Sequence, residues 1–170
     1  MSLKSTHKYL LVITFTLASL NLYAQPASSW QLQGPSLILP FASQVDNRTV
    51  TLAIAYEKSF FRCKPTVALV VIQGRRLGSV RDTTRSSSNR NKLRLNIDGK
   101  LFVGEGETQM NQYSNGIEVI SFFSNSVIES LRSPSNIAIS IGQNAPLFSG
   151  KSLNSIGADI NSVIESCEKN

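Results

Sequence analysis

Side chains able to carry chemistry are sparse in this chain of 170 residues. It has two cysteines, Cys63 and Cys167, and a single histidine, His7. His7 lies in a stretch that reads as a removable leader, so the mature protein is expected to have no imidazole. Without one there is no Ser-His-Asp triad, no Cys-His pair and no common type of zinc site. Gly104-Glu105-Gly106-Glu107 sets two carboxylates two residues apart, on one face if the stretch is a strand. The plainer expectation is a solvated turn, since surface carboxylates are the norm. Gly150-Lys151-Ser152 offers a Ser-Lys neighbour pair, but it reads better as a loop with Ser152 capping the last helix. Neither a phosphate-cradling Gly-x-x-x-x-Gly-Lys nor a dinucleotide fingerprint occurs. No catalytic residue, metal or cofactor is therefore expected.

The leader has the layout of a secretory signal peptide. Lys4 and Lys8 form a basic start, Tyr9 to Leu20 is uncharged and mostly apolar, and Asn21-Leu22-Tyr23-Ala24 is more polar. The apolar run is too short, and too interrupted by Thr14, Thr16 and Ser19, for a comfortable membrane span. Cleavage after Ala24 is preferred, with Ala18 and Ala27 as alternatives. Residues 1–24 are then leader and 25–170 one domain, long enough for a hydrophobic core. In an oxidising compartment two cysteines most simply make one disulfide, Cys63–Cys167; two buried free thiols are the alternative. Such a bridge would be worth about 4–5 kcal/mol in the chain-entropy model.

The formal net charge of +6 is unevenly spread. From Arg62 to Arg94 stand nine basic residues (62, 64, 75, 76, 81, 85, 90, 92 and 94) against one acid, Asp82. From Leu95 onward four basic residues face eight acids. Arg75, Arg76, Arg81, Arg85, Arg90 and Arg94 could meet an anionic partner; the alternative is a merely solvated Arg/Ser loop. Nucleic acid is not expected, because no aromatic lies between Phe61 and Phe102 to stack on bases.

These residues need elements to position them. Gln25 to Gly34 reads as an extended lead-in around Trp30, and Ser36 to Phe41 as apolar but broken by Pro40. After a turn at Asn47-Arg48, Thr49 to Tyr56 alternates large with small residues, the pattern of a strand. Glu57 to Lys64 is expected to connect it to Thr66–Ile72, a strand buried on both faces. Arg75-Arg76 continues an edge or begins a loop. Asp82 to Asn91 has no large apolar residue and is expected to be a mobile loop. Leu93, Leu95 and Ile97 lead into Asp98-Gly99 and then Lys100 to Gly104, the clearest hairpin signal in the chain. Further strands are expected at Glu107–Tyr113 and Ile117–Phe123, joined by a Ser114-Asn115-Gly116 turn. Ser124 or Ser126 can cap a short helix carrying Val127, Ile128 and Leu131, stopped by Ser133-Pro134. Ile137, Ile139 and Ile141 mark a late strand, and Pro146–Ser149 can form one more. Leu153, Ile156, Ile160, Val163, Ile164 and Cys167 share one helical stripe. The fold class is mainly β: a β-sandwich or strongly bent antiparallel sheet with one short helix and a packed C-terminal helix.

The order Phe61-Arg62-Cys63, Asn96-Ile97-Asp98-Gly99-Lys100, Val127-Ile128-Glu129-Ser130-Leu131, and Phe148-Ser149-Gly150 through Cys167 resembles small bacterial periplasmic proteins. These are the invasion-associated-locus-B-like and type VI secretion-associated VasI/TagO-like proteins. Their closing helix follows a Phe-x-x-x-Gly-Leu pattern and ends in cysteine; here Lys151-Ser152 separates Gly150 from Leu153. The resemblance implies a periplasmic β-sandwich in an accessory or interaction role, with the bridge Cys63–Cys167 and no catalytic residue. Asn47-Arg48-Thr49 fits the glycosylation acceptor pattern, which carries little weight in a chain of bacterial character.

The expected function is that of an exported, non-enzymatic binding or accessory protein. It would act in the periplasm, or beyond the cell, on another envelope or secreted protein. A toxin-neutralising or enzyme-inhibiting protein is the alternative, with loop 82–91 as its plug. A histidine-free hydrolase is the third.

Overall fold

A computed structural model of the protein describes residues 29–42, 48–59, 62–143, 148–157 and 159–169. The expected leader with His7, the expected turn at Asn47, and Phe60-Phe61 and Pro146 lie outside the described residues.

The chain runs β1 (Gln31–Gln33), β2 (Ser36–Ala42), β3 (Arg48–Ser59), β4 (Arg62–Gln73) and β5 (Val80–Ser86). A 3-10 turn at Asn89–Asn91 leads to β6 (Leu93–Ile97), β7 (Lys100–Val103), β8 (Glu105–Tyr113) and β9 (Gly116–Phe122). Then come α1 (Ser126–Ser130), β10 (Asn136–Ile141), β11 (Phe148–Lys151) and α2 (Asp159–Lys169). Two antiparallel sheets result. The large one has the order β1-β2-β3-β4-β9-β8-β5, and the small one β11-β10-β6-β7. This is the mainly β, sandwich-like class with a short helix and a C-terminal helix that the alternating patterns predict.

Alternation decides which side of each strand is buried. Val50, Leu52 and Ile54 of β3, Val67, Leu69 and Val71 of β4, and Val119 of β9 face the main core. Leu93, Leu95, Ile97, Phe102, Ile137 and Ile139 of the small sheet meet them. Val127, Ile128 and Leu131 at α1 and Ile156, Ile160 and Val163 at α2 complete this core. Burying each such side chain contributes roughly 1.5–3 kcal/mol. The other face of the large sheet carries a second, smaller cluster of Ile38, Ala53 and Ala68, with Ile120 packed on it. β4 is thus buried on both faces, as its continuous apolar run predicts.

The Asp98-Gly99 turn behaves as expected. Both residues have positive φ, 49° and 88°, as a type I′ hairpin requires. The expected disulfide is also present: Cys63 of β4 bonds Cys167 of α2 across a sequence separation of 104.

Several expectations are corrected. Asp82–Asn91 is not a mobile loop: its first part is β5, paired with β8, and its second is the 3-10 turn. β5 buries no side chain, yet its backbone completes a ladder, which side-chain hydrophobicity does not report. Glu57–Lys64 is not a connection, because the two strands reach Ser59 and Arg62 and pair throughout. Pro40 does not break β2 and lies opposite Thr51. Pairing with β1 stops at Ile38, so the described sheet has an edge there that tolerates proline. Glu105 and Glu107 are exposed, but they lie in β8 rather than in a turn. At α1 the N-cap is Asn125, which makes no side-chain capping bond. The last helix starts at Asp159, later than its apolar stripe suggests, so Leu153 is exposed. Ser152 does not cap it; its buried hydroxyl donates to the Asn154 carbonyl.

Candidate functional site

The basic segment is the surface feature that the sequence singles out, and in the structure its six arginines divide into two groups. Arg75 and Arg76 lie in the exposed connection between β4 and β5. Arg81 and Arg85 lie on β5, at one edge of the large sheet. These four lie on the stretch that leads from β4 over the β8–β9 turn into β5. Arg90 and Arg94 do not: Arg90 sits in the 3-10 turn, and Arg94 is in β6 of the small sheet, opposite Val103 and Ser140. The Arg94 Nε is buried with no hydrogen-bond partner among the described residues. Arg94 is therefore partly built into the framework.

The connection bearing Arg75 and Arg76 is latched down by Asn115 in the β8–β9 turn. Its Nδ2 donates to the carbonyls of Gln73 at 3.0 Å and Arg76 at 2.8 Å, and its Oδ1 accepts from the Gly78 amide at 2.5 Å. Backbone bonds from Gln73 N to Asn115 O (2.8 Å) and from Ser114 N to Ser79 O (2.9 Å) add to this. One side chain that satisfies three backbone groups gives an exposed loop a defined path.

Arg85 is held from the side. Its Nη2 donates to Gln109 Oε1 at 3.2 Å, and Gln109 Nε2 donates to Asn111 Oδ1 at 3.1 Å. Asn111 Nδ2 donates to Glu118 Oε2 at 2.7 Å, and the Tyr113 hydroxyl donates to the same oxygen at 3.2 Å. A polar chain thus crosses β5, β8 and β9 on the face opposite the main core. It ends at a carboxylate only 3% exposed, whose other oxygen, Oε1, has no partner among the described residues. Burial, the Glu118 charge and its hydrogen bond push the Tyr113 phenol up to about 12. At Glu57 of β3 burial raises the carboxyl, and the Arg85 charge opposes that rise.

Glu118 is a residue that the sequence reading passed over. The signal was there: a two-residue Ser114-Asn115 turn pairs Tyr113 with Gly116 and therefore Asn111 with Glu118.

Three ion pairs elsewhere among the described residues are exposed. Lys64–Glu105 at 3.8 Å, Arg132–Glu129 at 2.6 Å and Lys169–Glu165 at 3.4 Å contribute little. None involves Arg75, Arg76, Arg81 or Arg85. A shallow hollow on the small sheet is lined by Asn96, Asp98, Asn136, Ser149 and Lys151 among others. Its carboxylate is already engaged, since Asp98 Oδ1 accepts from the Asn136 backbone amide at 2.9 Å.

No family model matches the chain, and no curated protein or solved structure does either.

Proposed function

We propose that this is an exported, non-enzymatic binding or accessory protein of the bacterial periplasm, acting through protein–protein contact at a secretion system or the envelope. The observation that carries this reading is the basic border formed by Arg75, Arg76, Arg81 and Arg85. Its backbone is ordered by Asn115 and β8, and its charges have no ion-pair partner among the described residues. An ordered row of unpaired positive charge suits an acidic protein surface. The Cys63–Cys167 bridge supports an oxidising compartment. No helix among the described residues is long and apolar enough to cross a membrane. The motif-level resemblance to invasion-associated-locus-B-like and VasI/TagO-like proteins supports the same location and role.

The test is expression of the full chain in a Gram-negative host, followed by fractionation and affinity capture from the periplasmic extract. The wild-type protein is expected there, oxidised, holding a partner that elutes with salt. Reversing Arg75, Arg76, Arg81 and Arg85 to Glu should release that partner. Capture with an unchanged salt slope after reversal would remove the basic border from the reading. Retention in the cytosol with two alkylatable thiols would remove the exported location.

A further inference from the structure

We infer that β5 is a docking strand, whose open edge accepts an extended acidic segment of a partner protein as an added strand of the large sheet. This rests on the binding role proposed above and specifies how the border recognises its partner.

Each sheet has two edges, and an edge strand presents unpaired backbone amides and carbonyls to any chain able to pair. Three of the four edges are blunted by brevity: β1 has 3 residues, and β7 and β11 have 4 each. β5 has 7 and nothing pairs with its outer side among the described residues. Its register against β8 shifts between Val80 and Asp82, then runs regularly from Asp82 to Ser86. That regular stretch offers every second amide and carbonyl outward, the template used in recognition by strand addition. The β8–β9 hairpin and the polar chain ending at Glu118 make the support behind it stiff.

Charge selects the occupant. Arg81 and Arg85 stand on the strand, and Arg75 and Arg76 are fixed just before it, against the single acid Asp82. Arg85 donates to the neutral Gln109 on the β8 side, and a carboxylate on an incoming strand can compete for it with a stronger, charge-assisted bond. An incoming strand with acids at alternate positions places them beside these guanidiniums. A second copy of β5 would instead set arginines against arginines, which disfavours self-pairing. The same charges thus discourage aggregation along the edge and admit an acidic segment.

The test uses the oxidised exported protein, isotope-labelled for amide detection, and three synthetic peptides. One alternates Glu with Thr. One has Lys in place of Glu. The third keeps the Glu-Thr sequence but is N-methylated at alternate backbone nitrogens. The acidic peptide should bind, shift the amides of residues 82–86 and slow their hydrogen exchange. The Lys peptide should not bind, and methylation should weaken binding about tenfold or more, the effect of removing a few backbone bonds. Arg81→Glu with Arg85→Glu should weaken the acidic peptide by a similar factor while leaving thermal stability nearly unchanged. Equal binding of the methylated peptide, with no protection of residues 82–86, overturns strand addition yet leaves the basic border as a charged docking surface. Failure of every acidic peptide to bind overturns the inference, while capture of a salt-sensitive partner from the extract would still uphold the wider reading.

Discussion

At Glu118 the two carboxylate oxygens live in different surroundings. Oε2 accepts from Asn111 and Tyr113, whereas Oε1 is buried without a partner among the described residues. Glu118→Ala would strand both donors, and a destabilisation of about 1–3 kcal/mol is expected in urea titrations. Tyr113 reports on the same contact through its phenol, which ionises only near about 12. A raised phenol pKa favours the folded state fully below the unfolded value, and that advantage fades as pH rises through the folded one. Burial raises the Tyr56 phenol as well, so phenolate absorbance should lose only its component near about 12 in Tyr113→Phe and keep a raised one from Tyr56. In Glu118→Gln the Tyr113 phenol should titrate earlier yet stay above the ordinary value, because burial is the larger cause. Asp98 has the opposite sign. Its carboxyl is held below the usual range, chiefly by the hydrogen bond from the Asn136 amide. Its contribution is present above the unfolded pKa and lost as pH falls through the folded one. Asp98→Asn keeps a residue suited to positive φ, so its acid limb of stability, below about pH 4, should be flatter than that of the wild type.

At the scale of elements, α2 is held twice. Ile160 and Val163 bury it in the main core, and Cys167 ties it covalently to β4. Replacing Cys63 and Cys167 with Ala should lower stability by about 2–5 kcal/mol while leaving the far-ultraviolet dichroism of the native state nearly intact. Loss of the helical signal would show instead that apolar docking cannot hold α2 alone. The elements also differ in how well the sequence announced them. β3, β4 and the β6–β7 hairpin were legible because burial imposes alternation and a type I′ turn demands Asp-Gly. β5 was not, because its stabilisation comes from backbone bonds to β8 and none of its side chains is buried. The start of α2 was misread for a related reason. Ile156 is buried at 1% exposure from outside the helix, so an apolar stripe ran past the point where helical backbone begins. The arginines stand out in the sequence by their concentration between Arg62 and Arg94. Their division between a sheet edge and the second sheet required knowing that the chain changes sheets after Ser86.

At the scale of the whole molecule, one core joins both sheets and both helices. Trp30 belongs to it, and Asn154 grips its backbone, accepting from the Trp30 amide at 2.7 Å. The first described strand is therefore tied to the segment just before α2. Unfolding followed by Trp30 fluorescence and by far-ultraviolet dichroism should give coincident transitions. Separate midpoints would mean that the small sheet, with α1, unfolds independently of the large one.

The bridge between β4 and α2 has a consequence for timing. A chain made amino end first presents Cys63 long before Cys167, its partner 104 residues on, arrives. With two cysteines in the sequence, no wrong pairing within the chain can form meanwhile. An oxidase alone suffices, and no isomerase is needed to reshuffle bonds. Closure waits for α2, so the bridge can form only once the chain as far as Cys167 is present. A copy cut short before Cys167 would keep an unpaired thiol at Cys63.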